Sequence, residues 1–191
     1  MNIITDKLPE SVSLCGRSYP IKTDFKVWLK FHEIITDKGK SPAEKFTDAV
    51  LCCFDPHQCK NLPDSYEETL SVLFSFFAGI PKGKGETKTA EKVFDFKEDA
   101  DLIFTSFFQE YGIDLSESSM HWYKFLALLE GLSENSRLKK AVAWRSVNPA
   151  EIEDAKRRNF CRKMKEFYSL ESERGTRLGE KSIAEELSKA F

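Results

Sequence analysis

The chain reads as a mainly α protein, a compact domain of about six to seven helices preceded by a short β-hairpin. Three observations predict this. Apolar residues recur at helical spacing, as in Trp122, Phe125, Leu126 and Leu129 at i, i+3, i+4 and i+7. Cap and breaker residues punctuate the periodic stretches, most clearly where Ser41, Pro42 and Glu44, and later Asn148, Pro149 and Glu151, combine an N-cap, a first-turn proline and an acid. There is also ample apolar material, 41% of 191 residues with 16 Phe among them, to cover the ordering cost of a core.

Residues 1–10 show no period and form a lead-in to a helical domain over 11–170. Ser11 to Ile21 gives two short runs around Gly16, Arg17 and Ser18, a hairpin in which Pro20 must lie on an edge. Thr23 is expected to cap the first helix, with Phe25, Trp28, Leu29, His32 and Ile35 on one face and Asp24 at the positive end of the dipole. Gly39 ends the turn that follows. The second helix opens at Ser41 and runs to about Phe54, where Asp55 and Pro56 break it. After a loop from His57 to Leu62, a third helix over Pro63 to Ile80 carries Tyr66, Leu70, Leu73, Phe74 and Phe77 on one side. Val72, Phe76 and Ile80 lie off that face, so the helix should be central.

The glycine- and lysine-rich stretch PKGKGETKTAEK, residues 81–92, reads as a mobile exposed loop. Asp95 caps a fourth helix with Phe96, Ala100, Ile103, Phe104, Phe107 and Tyr111 at helical spacing, and Gly112 closes it. Next comes a helical hairpin. Its first arm carries the Trp122 face and stops at Gly131; its second opens at Ser133 and carries Leu138, Ala141 and Val142, a strip widened by Trp144. Asn148 starts one last helix, charged early and apolar later at Phe160, Met164, Phe167 and Tyr168, which is expected to project from the body. Residues 171–191 are a tail, disordered or partly helical near Ile183 to Phe191.

The formal net charge of -2 gives no global reason for nucleic acid or an anionic membrane as partner. No apolar run approaches the ~18 residues of a membrane span, and the start MNIITDKLPE lacks the regions of a secretory signal. A cytoplasmic location follows as the expectation. Five cysteines in such a chain argue for reduced thiols.

The residues that could carry chemistry have simpler readings. Cys52, Cys53, His57 and Cys59 are soft ligands close together, yet adjacent Cys52 and Cys53 on a helix point about 100° apart and no second pair follows. Buried reduced cysteines and a loop histidine fit better than zinc. His32 reads as a helix-face residue among aromatics, and His121 precedes no nucleophile at a catalytic spacing. Asp95, Glu98, Asp99 and Asp101 could chelate a hard cation, but their place in the first turn of a helix is a sufficient structural reason for them. The glycines of KGKGETK lack the Walker pattern and its context. Lys156, Arg157, Arg158, Arg162, Lys163 and Lys165 form a basic segment, read as a solvated helix salt-bridged to Glu151, Glu153, Asp154 and Glu166. No catalytic residue, metal or cofactor is expected.

A resemblance adds what spacing does not. The segment DFKEDADLIFTSFFQEYGIDL from Asp95 to Leu115, then HWYKFLALLEGL from His121 to Leu132 and AWRSV from Ala143, resembles the bacteriophage gene-product-fifteen family of tailed phages and prophages of Gram-positive bacteria. Upstream, SYPIKTDFKVW from Ser18 to Trp28 is similar to that family's hairpin strand and first helix, so the likeness covers most of residues 11–170. The Cys52 to Cys59 region, the 81–92 loop and the tail depart from it. The resemblance implies a non-enzymatic tail assembly chaperone in the host cytoplasm. Its partners would be the tape-measure protein, then the major tail-tube protein and further copies of itself. The physics is compatible, because an uncovered tape measure exposes amphipathic helices that an apolar groove could hold. The expected groove walls are the fourth helix and the 115–145 hairpin. Phe108, Tyr123 and Leu128, off the principal faces, are the contact candidates, with packing against the last helix as the other reading. A structural tail or connector component and a small nucleic-acid-binding protein acting through the basic last helix are the alternatives.

Overall fold

Two consecutive residues with positive φ, Cys15 at 48° and Gly16 at 72°, turn the chain between β1 (Ser11–Leu14) and β2 (Arg17–Pro20). Positive φ at both central residues is what a two-residue turn of this hand requires. The strands pair antiparallel, Leu14 with Arg17 and Ser11 with Pro20, and Pro20 sits at the strand end where its missing N–H costs no ladder bond. In this computed structural model residues 2–59, 62, 63, 65–79 and 93–170 are described. The expected mobile loop 81–92 and tail 171–191 lie outside them.

After the hairpin come α1 (Phe25–Thr36), α2 (Pro42–Cys53), the single turn α3 (Pro56–Cys59) and α4 (Tyr66–Ala78). Then follow α5 (Ala100–Tyr111), α6 (Trp122–Glu130), α7 (Arg137–Ser146), a 3-10 turn (Pro149–Glu151) and α8 (Ala155–Tyr168). The chain is therefore mainly helical with an N-terminal two-stranded hairpin. It divides into two compact units. The first comprises the described residues of Met1–Glu86 with Tyr111–Gly131, and the second those of Thr87–Glu110 and Leu132–Phe191. The chain passes from one to the other at Gly131 and Leu132, so the two arms of the expected hairpin belong to different units: α6 packs chiefly on α1, and α7 on α8.

In the first unit an aromatic stack joins α1, α4 and α6. Trp28 stacks on Phe76 with centroids 4.6 Å apart, Trp122 on Phe77 at 5.3 Å, and Phe25 on Phe125 at 4.9 Å. The starts of α1 and α6 are tied together by an isolated bridge between Asp24 and His121. Phe25 N–H donates to Met120 O at 3.0 Å, and Trp122 N–H to Thr23 O at 2.7 Å. Each bridging residue is also a cap. Asp24, not Thr23, closes α1 by accepting from Lys26 N–H, and His121 Nδ1 accepts from Tyr123 N–H while Nε2 meets Pro9 O at 3.0 Å. Thr23 loses the cap because its carbonyl is committed to the bridge.

Several faces differ from expectation. The innermost face of α1 is Phe25, Trp28, Phe31 and Ile34, with Leu29, His32 and Ile35 half-buried. The innermost face of α4 is Thr69, Leu73 and Phe76, while Tyr66 and Phe74 are each 43% exposed. Aromatics on two sides of this helix made its inward side ambiguous in one dimension. The loop after α2 holds the turn α3. Residues 96–99 form a turn in which Asp95 accepts from Lys97 and Glu98 N–H, so α5 opens at Ala100. Ala100 is exposed.

In the second unit α7 opens at Ser136 rather than Ser133, whose N–H and hydroxyl both donate to the Glu110 carboxylate. The start at Asn148 yields only the 3-10 turn. Asp154 then caps α8 through Arg157 N–H, so the last helix is shorter than expected and most of the acidic residues precede it. Its inner face is Cys161, Met164 and Tyr168; Phe160 and Phe167 are 54% and 70% exposed.

Candidate partner-binding surface

The three contact candidates separate in the structure. Phe108, on α5, is 54% exposed and stacks parallel on Phe104, 6.1 Å away at 9°. Helix α5 turns Ile103, Ser106 and Phe107 inward, and i, i+4 spacing sets Phe104 and Phe108 one above the other on its outer face. Phe104, expected on the apolar inner face, is therefore a surface residue. Tyr123 is buried at 9%, its ring 4.9 Å from Phe76 and edge-on to His121 at 5.1 Å, and burial raises its phenol above the usual range. It belongs to the first unit's core. Leu128 is half-buried, and its carbonyl accepts from Tyr111 Oη at 2.9 Å. Phe108 belongs to the second unit, Tyr123 and Leu128 to the first.

A residue with no role in the sequence reading dominates the polar interior of the second unit. The Arg145 guanidinium forks onto Asp99, with Nη1 and Nη2 each 2.7 Å from a carboxylate oxygen, and the two side chains are 8% and 1% exposed. Nε donates to Tyr168 O and Nη1 to Val93 O at 3.1 Å, while Asp99 also accepts from Asp95 N–H. This planar fork satisfies two buried oxygens and one helix end at once. Asp99 is thus an ion-pair partner and more than a charge at a helix terminus. The signal was present in the sequence, because Arg145 falls seven residues after Leu138 and four after Ala141, on the apolar face of α7.

Cys53 is fully buried and Cys52 half-buried, its Sγ 3.5 Å from Val27 O. The Cys53 thiol, hydrogen-bonded to Cys52 and buried, is held well above the usual range; Cys52, helped by that bond and by Lys22 and Lys30, drops to about 7. Among the described residues no three His, Cys, Asp or Glu side chains converge as a metal site would require. Cys15, at the hairpin turn, donates its thiol to Glu68 Oε2 at 3.1 Å, and its N–H donates to Oε1 at 2.7 Å. Glu68 raises the Cys15 thiol and is itself lowered.

These elements define a mainly helical protein that sets large aromatic rings on the outer faces of α4, α5 and α8. The chain belongs to the bacteriophage Gp15 protein family, whose family model matches residues 4–170. That makes it a phage protein and points to a part in the structure or morphogenesis of the phage particle. No curated protein and no solved structure was found to match it. Among the described residues no helix is long and apolar enough to cross a membrane.

Proposed function

We propose that the protein is a phage tail assembly chaperone of the host cytoplasm, which binds the tape-measure protein during tail morphogenesis and catalyses no reaction. Family membership supports the phage setting. The observation that carries the binding role is the exposed Phe104–Phe108 stack on α5, apolar surface beyond what that helix turns to its own core. Rings so placed offer an amphipathic helix the apolar contact it needs before the tail tube encloses it. The major tail-tube protein and further copies of this chain are the remaining expected partners.

Co-expression with the tape-measure protein of the same phage, followed by co-purification at moderate and high salt, tests the proposal. Retention at both salts, lost on Phe108→Asp, is the expected result. Both rings are exposed, so the change leaves the core intact. Failure to co-purify, with the tape measure soluble alone and this chain recovered in purified virions, would instead identify a structural tail component.

A further inference from the structure

The outer face of α8 is a second surface of different chemistry. The helix AKRRNFCRKMKEFY carries six basic residues, Lys156, Arg157, Arg158, Arg162, Lys163 and Lys165, against the single acid Glu166, within a chain of net charge -2. The cations are not evenly spread. Lys156, Phe160, Lys163 and Phe167 recur at i, i+4, i+7 and i+11, and all four are exposed. They form one stripe along the helix in which cation and aromatic alternate. Phe160 lies edge-on to Trp144 at 5.7 Å and Phe167 edge-on to Tyr168 at 5.0 Å, and both rings remain exposed, at 54% and 70%.

We propose that this face of α8 is a docking surface for an acidic amphipathic helix of a partner protein. The two rings would enter its apolar seam and Lys156, Lys163 and Arg157 would meet its flanking carboxylates. Three observations select that occupant. Phe160 and Phe167 are one heptad apart, about 10.5 Å along the axis, the repeat of an apolar seam on a facing helix. That separation is about three times the ~3.4 Å spacing of stacked bases along a strand, so the two rings do not match consecutive bases. Two copies of α8 packed on each other would bring together two helices that each carry six cations against one acid, and that like-charge repulsion disfavours self-pairing through this face. The proposal deepens the chaperone reading, on which it rests for the identity of the partner.

The test uses the full chain and a labelled synthetic peptide of about three heptads with Leu in the seam and Glu flanking it, followed by fluorescence anisotropy. A peptide with Lys for Glu and a labelled oligo(dT) strand serve as controls. The acidic peptide should bind and the basic one should not. Phe160→Ser with Phe167→Ser should weaken binding roughly tenfold or more, and Lys156→Glu with Lys163→Glu should weaken binding of the acidic peptide as well. Circular dichroism would confirm that these surface variants fold. Binding of oligo(dT) but not of the acidic peptide would overturn the proposal in favour of nucleic acid. Peptide binding indifferent to the Phe changes would reduce it to ion exchange and overturn it as well. So would self-association abolished by the Phe changes without peptide binding. The tape-measure experiment stays separate. Co-purification that survives the Phe160 and Phe167 changes leaves the chaperone reading standing without this surface, whereas peptide binding without tape-measure binding leaves the surface standing without that partner.

Discussion

Arg145 shows how much one side chain can hold. Its fork neutralises Asp99 and donates to Tyr168 O at the end of α8, so removing it leaves a buried carboxylate without its counter-charge. Truncating one member of such a pair costs about 3–5 kcal/mol. Arg145→Ala should lower the denaturation midpoint accordingly, and adding Asp99→Leu should recover part of the loss; a double-mutant cycle in urea with independent, additive effects would contradict the pairing. Cys15 gives a second residue-level expectation. It is exposed, but Glu68 accepts its thiol proton and raises it above the usual range. Glu68→Gln should therefore speed alkylation of Cys15 at mildly alkaline pH, read by peptide mass mapping. An unchanged rate would show that the thiol does not depend on that carboxylate.

At the level of elements, the recurring device is the side chain or loop that closes a helix end. The last carbonyls of a helix lack partners within it. Here Trp122 Nε1 donates to Phe77 O of α4 at 2.8 Å, Tyr111 Oη to Leu128 O of α6, Lys22 N–H to Cys53 O of α2, and Arg145 Nε to Tyr168 O of α8. Each bond joins a helix end to another element of the same unit, and Arg145 also links α7 with the turn before α5. Trp122→Phe keeps an aromatic ring in the stack but loses the donor, and should cost about 1 kcal/mol for the hydrogen bond with a further loss of packing. His121→Ala should remove an N-cap worth about 1 kcal/mol, which His121→Asn restores in part. Thermal unfolding of the three variants measures both effects. Gly79 joins this group, since its φ of +81° and an approach of 2.8 Å between a built Cβ and Leu126 Cδ1 make Gly79→Ala strained as well as crowded.

The molecule as a whole should be acid-sensitive. Glu44 in its capping box, Glu68 on the hairpin turn, Glu110 on Ser133 and Asp114 on Ser116 are all lowered by hydrogen bonds to their carboxylates. A lowered folded value means that the unfolded chain binds more protons in the window between the two values. The stabilisation is therefore present above the ordinary carboxylate range, about pH 4, and disappears as pH falls through the folded values. The unfolding temperature should fall below that range, by an amount that solvent screening of these exposed carboxylates keeps small, and Glu110→Gln should flatten the fall; a melting temperature independent of pH there would show that these bonds do not contribute.

Much of this was legible in one dimension because it depends on neighbours in sequence. The Ser41 capping box forms as spaced, with Ser41 Oγ on Glu44 N–H and Glu44 on Ser41 N–H. Asp55 and Pro56 end α2 and Gly112 closes α5 at φ +67°; the hairpin forms where expected, but its turn is Cys15 and Gly16, with Arg17 and Ser18 already in β2. What could not be read is which of two eligible residues takes a role when the choice is made by a distant partner. Asp24 caps α1 because Thr23 O accepts from Trp122 N–H, and Ser136 opens α7 because Ser133 is held by Glu110. Tyr123 lies inward because Phe76 and His121 meet it there, and α4 buries Phe76 rather than Phe74 because Trp28 supplies the facing ring. Periodicity and caps are local energies fixed by adjacent residues, so the sequence determined that helices form and roughly where they stop. Inward faces, the Asp99–Arg145 pair and the aromatic stripe left outside on α8 depend on contacts between residues far apart in the chain, and only the tertiary structure decided them.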